Sequence, residues 1–173
     1  IFTFLFFGIS GAYPLAKRFT NYPQVVLGIA FNSGIIIGAL TANPTMFVPI
    51  MIPMYISGIL WTLVYDTVYA YQDLDDDLKI GVKSTAVTWH KKDPMKIMER
   101  LIYMMGICHL ILPILDIDYQ FSFVMMLLLD GFLLAALKKL NLKDKKACGE
   151  FFKKNNMYGF GIFISLIICG FVK

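Results

Sequence analysis

A dense group of carboxylates follows a long apolar stretch of the chain. Five aspartates lie within or just beyond the end of that stretch: Asp66, Asp73, Asp75, Asp76 and Asp77. On one helix, Asp73 and Asp77 would share a face, and Asp66 would lie two turns earlier on that face. Carboxylates arranged in this way repel one another, and oxygen-only ligands suit Mg²⁺ that keeps waters and bridges to a phosphate. The spacing therefore predicts a magnesium site at the end of this helix.

Cationic and hydroxyl side chains accompany the acidic segment. The stretch Gly81–Thr85 supplies a flexible glycine, the cation Lys83 and two hydroxyls, a set that can cradle diphosphate oxygens. Lys17 and Arg18 add two more cations on the same predicted membrane face. A divalent metal and basic side chains together neutralise the charge that develops on a leaving group. The combination predicts ionisation of a diphosphate ester.

Two other interpretations of the acidic segment compete with a magnesium site. A solvated charged loop often ends a transmembrane helix, but it leaves Asp66 unexplained, because intramembrane carboxylates are functional candidates by default. A calcium loop of the EF-hand type starting at Asp73 needs a glycine at its sixth position and a glutamate at its twelfth. Leu78 and Ser84 occupy those positions, which excludes that calcium loop.

The elements that must position these residues are membrane-spanning helices. The chain has 173 residues, 58% of them hydrophobic, and its mean hydropathy is +0.66, unlike a soluble domain of this size. A span needs about 20 mostly apolar residues, and helices are the default in a lipid bilayer because backbone groups there must be hydrogen-bonded internally. The predicted fold class is all-α integral membrane. We predict a partial span at about 1–12 and full spans at about 24–42, 46–70, 99–116, 119–137 and 157–172.

The basic residues indicate how these spans are oriented. Every Lys and Arg except Lys173 falls in the loops around residues 17–18, 79–100 and 138–154, which the alternating spans place on one side. Such an asymmetry predicts the cytoplasmic or mitochondrial matrix side. The net charge of +4 therefore reflects topology, and no nucleic-acid partner is expected. Within the span 119–137, Asp130 is expected to pair with a polar group inside the bundle.

Three stretches of sequence form a family pattern. The first runs from Tyr13-Pro-x-x-Lys17-Arg18 to Gly28, and the second runs from Trp61 through Tyr65-Asp66-Thr67 to Ala86. Together they resemble the intramembrane prenyltransferases that attach polyprenyl chains to aromatic acids, in particular the 4-hydroxybenzoate polyprenyltransferases of ubiquinone biosynthesis. The second stretch resembles the second aspartate motif of that family. A weaker similarity to its last helix lies in Phe152, Asn155, Gly159 and Phe163.

The resemblance implies the C-terminal part of a nine-helix transmembrane bundle around a central cavity. It implies Mg²⁺-dependent transfer of a polyprenyl group from polyprenyl diphosphate to the ring of 4-hydroxybenzoate, in a bacterial inner or mitochondrial inner membrane. In that family, the first aspartate motif and the residues that orient the aromatic carboxylate lie in the first helices. The chain opens at Ile1 inside an apolar run, so we expect a fragment that lacks those N-terminal helices and is inactive alone.

The same resemblance assigns roles to individual residues. Asp66 resembles a carboxylate deeper in the cavity, which either accepts the ring proton or stabilises the allylic cation. Tyr13 and Lys17 form the family's Tyr-x-x-x-Lys pair and join Asp66 as the expected catalytic residues. The expected metal ligands are Asp73, Asp77 and the neighbouring Asp76, and the expected diphosphate contacts are Lys17, Arg18, Lys83 and Ser84.

Two alternatives stay open at this point. A sister prenyltransferase would act on another acceptor, such as a naphthoate, a homogentisate or haem. A cation-coupled transporter or channel would also use intramembrane aspartates, but it would not need the cations Lys17, Arg18 and Lys83 on the same face. Replacing Asp73 or Asp77 by Asn separates the classes, because an enzyme loses magnesium-dependent transfer whereas a transporter changes its ion flux.

Overall fold

The structure is a computed structural model that describes residues 8, 15–42, 44–116, 118 and 120–171. Residues 15–19 form a short helical stretch. The helices that follow, numbered here in chain order, are α1 (Pro23–Phe31), α2 (Ser33–Ala42), α3 (Pro44–Ala70), α4 (Leu74–Ile80), α5 (Thr85–Trp89), α6 (Pro94–Leu115), α7 (Gln120–Lys138) and α8 (Lys145–Phe171). The all-α fold class predicted from the sequence is confirmed.

Four stretches of the described chain are long and apolar enough to cross a membrane: Pro23–Ala42, Val48–Ala70, Pro94–Leu115 and Gln120–Lys138. They coincide with the predicted spans at 24–42, 46–70, 99–116 and 119–137. Large apolar side chains on these helices point outward, as lipid contact requires; Ile107 and Phe132, for example, are exposed. The protein is an integral membrane protein.

The two outer predicted spans have different outcomes. The span at 1–12 lies outside the described residues apart from Gly8. The span at 157–172 falls within α8, which begins much earlier, at Lys145, and is not among the four membrane-crossing stretches found in the described residues. The first half of α8 is rich in charge and only its second half is apolar. Membrane crossing by this helix therefore stays a prediction.

Four long helices form a closed ring. Helix α3 contacts α6 and α8, and α7 contacts the same two helices from the opposite side. Their inward faces share one core. Lipid is as apolar as this core, so the helices are held together by close packing and not by the hydrophobic effect. The core includes Val64 and Val68 of α3, Ile102 and Met105 of α6, Leu133 and Leu137 of α7, and Phe151 of α8.

Helices α1 and α2 are attached to the outside of α3. The predicted single span at 24–42 is interrupted at Asn32, whose side-chain amide donates to the Gly28 carbonyl (2.8 Å) and to Thr62 Oγ1 (3.1 Å). Glycines let the backbones of α1 and α3 approach closely. A Cβ added at Gly28 would lie 3.2 Å from the Cα of Ile59, and one added at Gly58 would collide with the Asn32 side chain. This contact fixes α1, and with it the basic residues that precede α1, relative to α3.

Candidate functional site

The acidic segment is divided between two helices. Helix α3 ends at Ala70, residues 71–73 form a turn, and α4 begins at Leu74 with Asp73 as its N-cap. The predicted continuous face that would join Asp66 to Asp73 on one helix is therefore wrong. The Asp73 side chain makes no capping hydrogen bond, but three carboxylates lie in the first turn of α4, where the helix dipole favours them. The local chemistry thus favours a new helix start over continuation of α3.

Asp73 and Asp77 remain one turn apart. The Asp77 backbone N–H donates to the Asp73 carbonyl at 2.8 Å. Partial burial raises the pKa of the Asp77 carboxyl, the charge of Lys17 opposes that rise, and the charges of Asp73 and Asp76 add to it. Asp76 instead pairs with Lys79 at 3.1 Å, and this hydrogen bond lowers the pKa of Asp76. A bound cation would therefore favour the charged form of Asp77.

The predicted cations lie on two segments that contact each other, and one of them, Lys17, acts on Asp77. The backbone N–H of Lys83 donates to the carbonyl of Lys17 at 3.2 Å, and Lys83 Nζ lies 3.5 Å from the carbonyl oxygen of Phe19. Lys17 is near enough to Asp77 to oppose the rise of its pKa. Arg18 is exposed at the same end of the bundle. The two basic segments that the sequence placed on one face are thus in direct contact.

Long-range hydrogen bonds, called here the clasp, hold residues 17–24 against residues 83–88. The bonds run from the Lys83 amide to the Lys17 carbonyl (3.2 Å), from the Thr85 amide to Gln24 Oε1 (3.0 Å), and from Thr88 Oγ1 to the Asn21 carbonyl (3.0 Å). The clasp is anchored to the bundle by α3, because the Thr85 hydroxyl lies 2.5 Å from the hydroxyl of Thr67. The backbone of Lys83 is therefore held by its own bond and by those of Thr85 and Thr88, which follow it in the chain.

The stretch between α4 and α5 is specified by Gly81 and Ser84. Gly81 ends α4 in the left-handed conformation, with φ of 73°, which a residue with a Cβ adopts only with strain. Ser84 is buried and caps α5, because its Oγ accepts the backbone N–H of Val87 at 3.2 Å. The capping role is structural, and a diphosphate contact by Ser84 stays a prediction.

The remaining predicted residues are less closely gathered. Asp66 is half-buried on α3 and immediately precedes Thr67, which anchors the clasp. Tyr13 lies outside the described residues. Across the ranges that the structure describes, no group of three or more His, Cys, Asp or Glu side chains is placed to hold a metal ion. For binding a metal or an anion, the described site offers Asp73 and Asp77, one helical turn apart, and the cation Lys17 near Asp77.

Comparison of the sequence with known proteins assigns the chain to a family. The sequence profile of the UbiA prenyltransferase family matches residues 1–167. The chain belongs to this family. It is 36% identical over 157 residues to the 4-hydroxybenzoate octaprenyltransferase of Psychromonas ingrahamii, an alignment that covers 91% of this chain and 54% of the relative. No solved structure matches the chain.

Other relatives in the UbiA family carry similar names. The 4-hydroxybenzoate octaprenyltransferase of Haemophilus ducreyi is 35% identical over 176 aligned positions, with coverage of 97% of this chain and 60% of the relative. The mitochondrial 4-hydroxybenzoate polyprenyltransferase of Arabidopsis thaliana is 51% identical over 76 residues, which are 44% of this chain and 19% of the relative. Where most of this chain aligns, it spans about half the length of the relatives it matches.

Sequence reasoning about this UbiA-family chain missed the role of Gln24. The residue is 1% exposed in an apolar helix, and it supplies the acceptor for the Thr85 amide. A signal was present in the sequence, because a polar amide inside a membrane-spanning segment usually bonds to a neighbouring helix or loop. The sequence did not show which residue would donate to Gln24. The donor is the amide of Thr85, 61 positions away.

Proposed function

We propose that the protein transfers a polyprenyl group from a polyprenyl diphosphate to the ring of 4-hydroxybenzoate, with Mg²⁺ bound at the acidic segment. The observation that carries this proposal is the position of Lys17 at one polar end of a membrane-spanning bundle, where its charge acts on Asp77 and its carbonyl binds the backbone of Lys83. Cations and carboxylates together are what a metal-bound diphosphate requires. The names of the family relatives support the acceptor.

The aspartates fit the metal by the chemistry of their side chains. Mg²⁺ prefers oxygen ligands, keeps several waters, and is commonly held by one or two carboxylates together with substrate phosphates. Asp73 and Asp77 would be those carboxylates, with Asp76 as their neighbour. The raised pKa of Asp77 reflects burial and repulsion that a cation would relieve. When bound, the ion would neutralise negative charge on the diphosphate.

The protein's own residues would then guide the bond changes. Lys17, Arg18 and Lys83 would bind the diphosphate oxygens as the allylic carbon–oxygen bond breaks and its electron pair leaves with the diphosphate. The ring carbon ortho to the phenol oxygen would attack the allylic carbon, and the new carbon–carbon bond would be followed by loss of the ring proton to a base. Asp66, half-buried on α3, is our candidate either for that base or for stabilising the allylic cation. The product is a 3-polyprenyl-4-hydroxybenzoate.

The test compares two neighbouring aspartates in the complete gene product. Membranes containing it are supplied with labelled 4-hydroxybenzoate and a polyprenyl diphosphate, with and without Mg²⁺. We expect Asp77→Asn to lower kcat/KM by about 100-fold or more, the size typical of lost electrostatic stabilisation of a leaving group. Asp75→Asn is the matched control, because Asp75 is exposed and lies 3.9 Å from Lys145; it should stay within about threefold, as exposed ion pairs contribute little.

Each other result points to a different conclusion. Equal activity of the two variants, or transfer that survives removal of divalent ions, would refute the metal assignment. Transfer to a naphthoate, a homogentisate or haem but not to 4-hydroxybenzoate would refute the acceptor. An Asp77-dependent ion flux without prenyl transfer would refute the enzyme and favour the transporter.

We further infer that the acidic end faces the cytoplasm or the mitochondrial matrix. The structure supports the grouping of the three basic loops, because Lys17 contacts Lys83 and Lys145 lies near Asp75 at the same end of the bundle. Lys-rich loops favour that side. A membrane-impermeant thiol reagent should label Lys79→Cys in inverted vesicles and not in right-side-out vesicles; the opposite labelling would overturn the orientation.

A further inference from the structure

Three buried polar side chains from three helices meet inside the bundle. Asp130 of α7 accepts a hydrogen bond from Tyr158 Oη of α8 at 2.5 Å, and its second carboxylate oxygen lies 2.8 Å from His109 Nδ1 of α6. None of the three residues is more than 5% exposed. The sequence-based expectation that Asp130 pairs with a polar group inside the bundle is confirmed, and it has two such partners.

This group fixes the position of a tyrosine ring. A carboxylate at membrane depth is costly unless its oxygens are hydrogen-bonded. Each oxygen of Asp130 has a partner on a different helix, so rotation of Tyr158 away from its place would leave one oxygen without a donor. Tyr158 is therefore held more firmly than packing alone would hold it.

The tyrosine ring in turn holds Trp61 of α3. The two ring centroids are 5.0 Å apart. Two further residues of α8 contact Trp61. Trp61 Nε1 donates to Asn155 Oδ1 at 2.9 Å, and Gly159 packs directly against the indole ring, since a Cβ added there would lie 2.8 Å from the edge of the ring. Of these contacts, the one made by Tyr158 is connected to Asp130.

Trp61 is the first ring of an aromatic row along the contact between α3 and α8. The centroid distances are 5.2 Å from Trp61 to Tyr65, 5.7 Å from Tyr65 to Phe152 and 4.5 Å from Phe152 to Tyr69. The row follows α3 towards its end at Ala70, where the acidic segment begins. Asp66 follows Tyr65 directly in the chain and lies little more than one turn after Trp61, so a shift of the part of α3 that carries Trp61 and Tyr65 would shift this carboxylate as well.

We propose that Asp130 is a positioning residue for prenyl transfer, which acts through Tyr158 and Trp61 on the aromatic row and so sets the place of Asp66. This inference rests on the proposed prenyl transfer. Asp130 itself would touch neither substrate, since it is buried between α6, α7 and α8. Loss of the link should therefore lower the rate of the bound complex rather than weaken substrate binding.

The test removes one hydrogen bond and keeps the ring. Tyr158→Phe deletes the donor to Asp130 but retains the aromatic surface against Trp61. The matched control is Ser122→Ala, because Ser122 is fully buried and its Oγ donates to the Ser165 carbonyl at 2.8 Å. That bond also joins α7 to α8, yet it lies outside the aromatic row. Both variants are measured in the complete gene product for kcat, for KM of each substrate and for the midpoint of thermal unfolding.

The expected result is a division between kcat and KM. Tyr158→Phe should lower kcat by about tenfold, within the range that misplacement of a reacting group by a fraction of an ångström produces, and leave both KM values within about twofold. Each of the two variants loses one buried hydrogen bond between α7 and α8, so both should lower the midpoint of thermal unfolding by a similar amount. Ser122→Ala should leave kcat unchanged. Asp130→Asn, which keeps an oxygen acceptor for Tyr158, should restore more of kcat than Asp130→Ala.

The contrary outcomes are distinct. An unchanged kcat in Tyr158→Phe, or an equal fall in both Tyr158→Phe and Ser122→Ala, would overturn the positioning role and leave Asp130 as a stabilising contact only. Absence of prenyl transfer by the unmodified protein would instead refute the proposed function. If the Asp130 variants fail to fold, the comparison of the Tyr158 and Ser122 variants still decides.

Discussion

Removal of the Gln24 acceptor should open the clasp without unfolding the bundle. In Gln24→Leu, the buried Thr85 amide loses the side-chain oxygen that lies 3.0 Å away, and leucine offers no replacement. Residues 81–88 are held by this bond, by the Thr67 hydroxyl, by the two remaining bonds of the clasp and by the packing of Ala86 in the core. The ring of long helices does not depend on it. The damage should therefore stay local to the segment that presents Lys83.

The size of the effect follows from the loss of one partner. A buried donor left without an acceptor costs about 1–3 kcal/mol, which corresponds to about a 5- to 150-fold shift in an open–closed equilibrium. Amide hydrogen exchange by local opening reports that equilibrium directly. Exchange over residues 85–88 should accelerate by a factor in this range, and KM for the polyprenyl diphosphate should rise because Lys83 is less often in place.

The assay needs a control of the same kind elsewhere in the bundle. Ser57→Ala serves, because Ser57 is 4% exposed and its Oγ donates to the Met54 carbonyl within the same helix. It should leave both the exchange over residues 85–88 and KM unchanged. Unaltered exchange in Gln24→Leu would show that the Gln24 bond does not hold the clasp. Faster exchange spread over α6 and α7 would show a general loss of stability instead.

Three further predictions concern the polar end. Asp93→Ala should lower the stability of the protein by about 1 kcal/mol, seen as a lower thermal unfolding midpoint, because Asp93 Oδ1 caps α6 by accepting the Lys96 amide at 3.1 Å; an unchanged midpoint would contradict the cap. Gly81→Ala should lower the free energy of unfolding by about 1–2 kcal/mol, because the φ of Gly81 is 73°, in the left-handed region. Gly131→Ala, at a helical position with open space, should not lower the thermal unfolding midpoint. The raised pKa of Asp77 means that the folded chain holds this proton more tightly than the unfolded chain. Without metal, the contribution of Asp77 to stability should therefore fall as pH rises from about 4, opposite in sign to the contributions of Asp76 and Asp93, whose pKa values are lowered. Asp77→Asn should therefore gain stability relative to the unmodified protein as pH rises, as measured by thermal unfolding across pH.

The spans were the part of the fold that the sequence predicted best. A helix in lipid must satisfy its own backbone and must be about 20 residues long, so apolar length alone placed the predicted span 46–70 on α3. The limits of α8 were less accessible, because the start of α8 at Lys145 lies in a charged stretch where hydropathy carries no information. The interruption at Asn32 was also missed, since apolar length does not distinguish one continuous helix from two consecutive ones, and the bond from Asn32 to Thr62 is present only in the folded chain.

The sequence predicted which segments meet at the candidate site and missed its local geometry, while the metal and diphosphate chemistry stays a prediction. The spacing of Asp73 and Asp77 held, because four residues make one helical turn whether or not that helix is continuous with α3. The joint face with Asp66 did not hold, because helical periodicity alone does not reveal where a polar turn ends one helix and starts another. The partners of Asp130 were not predictable, since they come from α6 and α8, 21 and 28 residues away.

The clasp has a consequence for the order in which the protein is made. It joins residues 17–24 to residues 83–88, and its anchor on α3 is Thr67, so every part of it precedes α6 in the chain. Synthesis proceeds from the N-terminus, and early segments can fold while later ones are still being added. The cations and the acidic segment can therefore come together before α8, the last of the described helices, has been completed. Helix α8 would then pack against a polar end that has already formed.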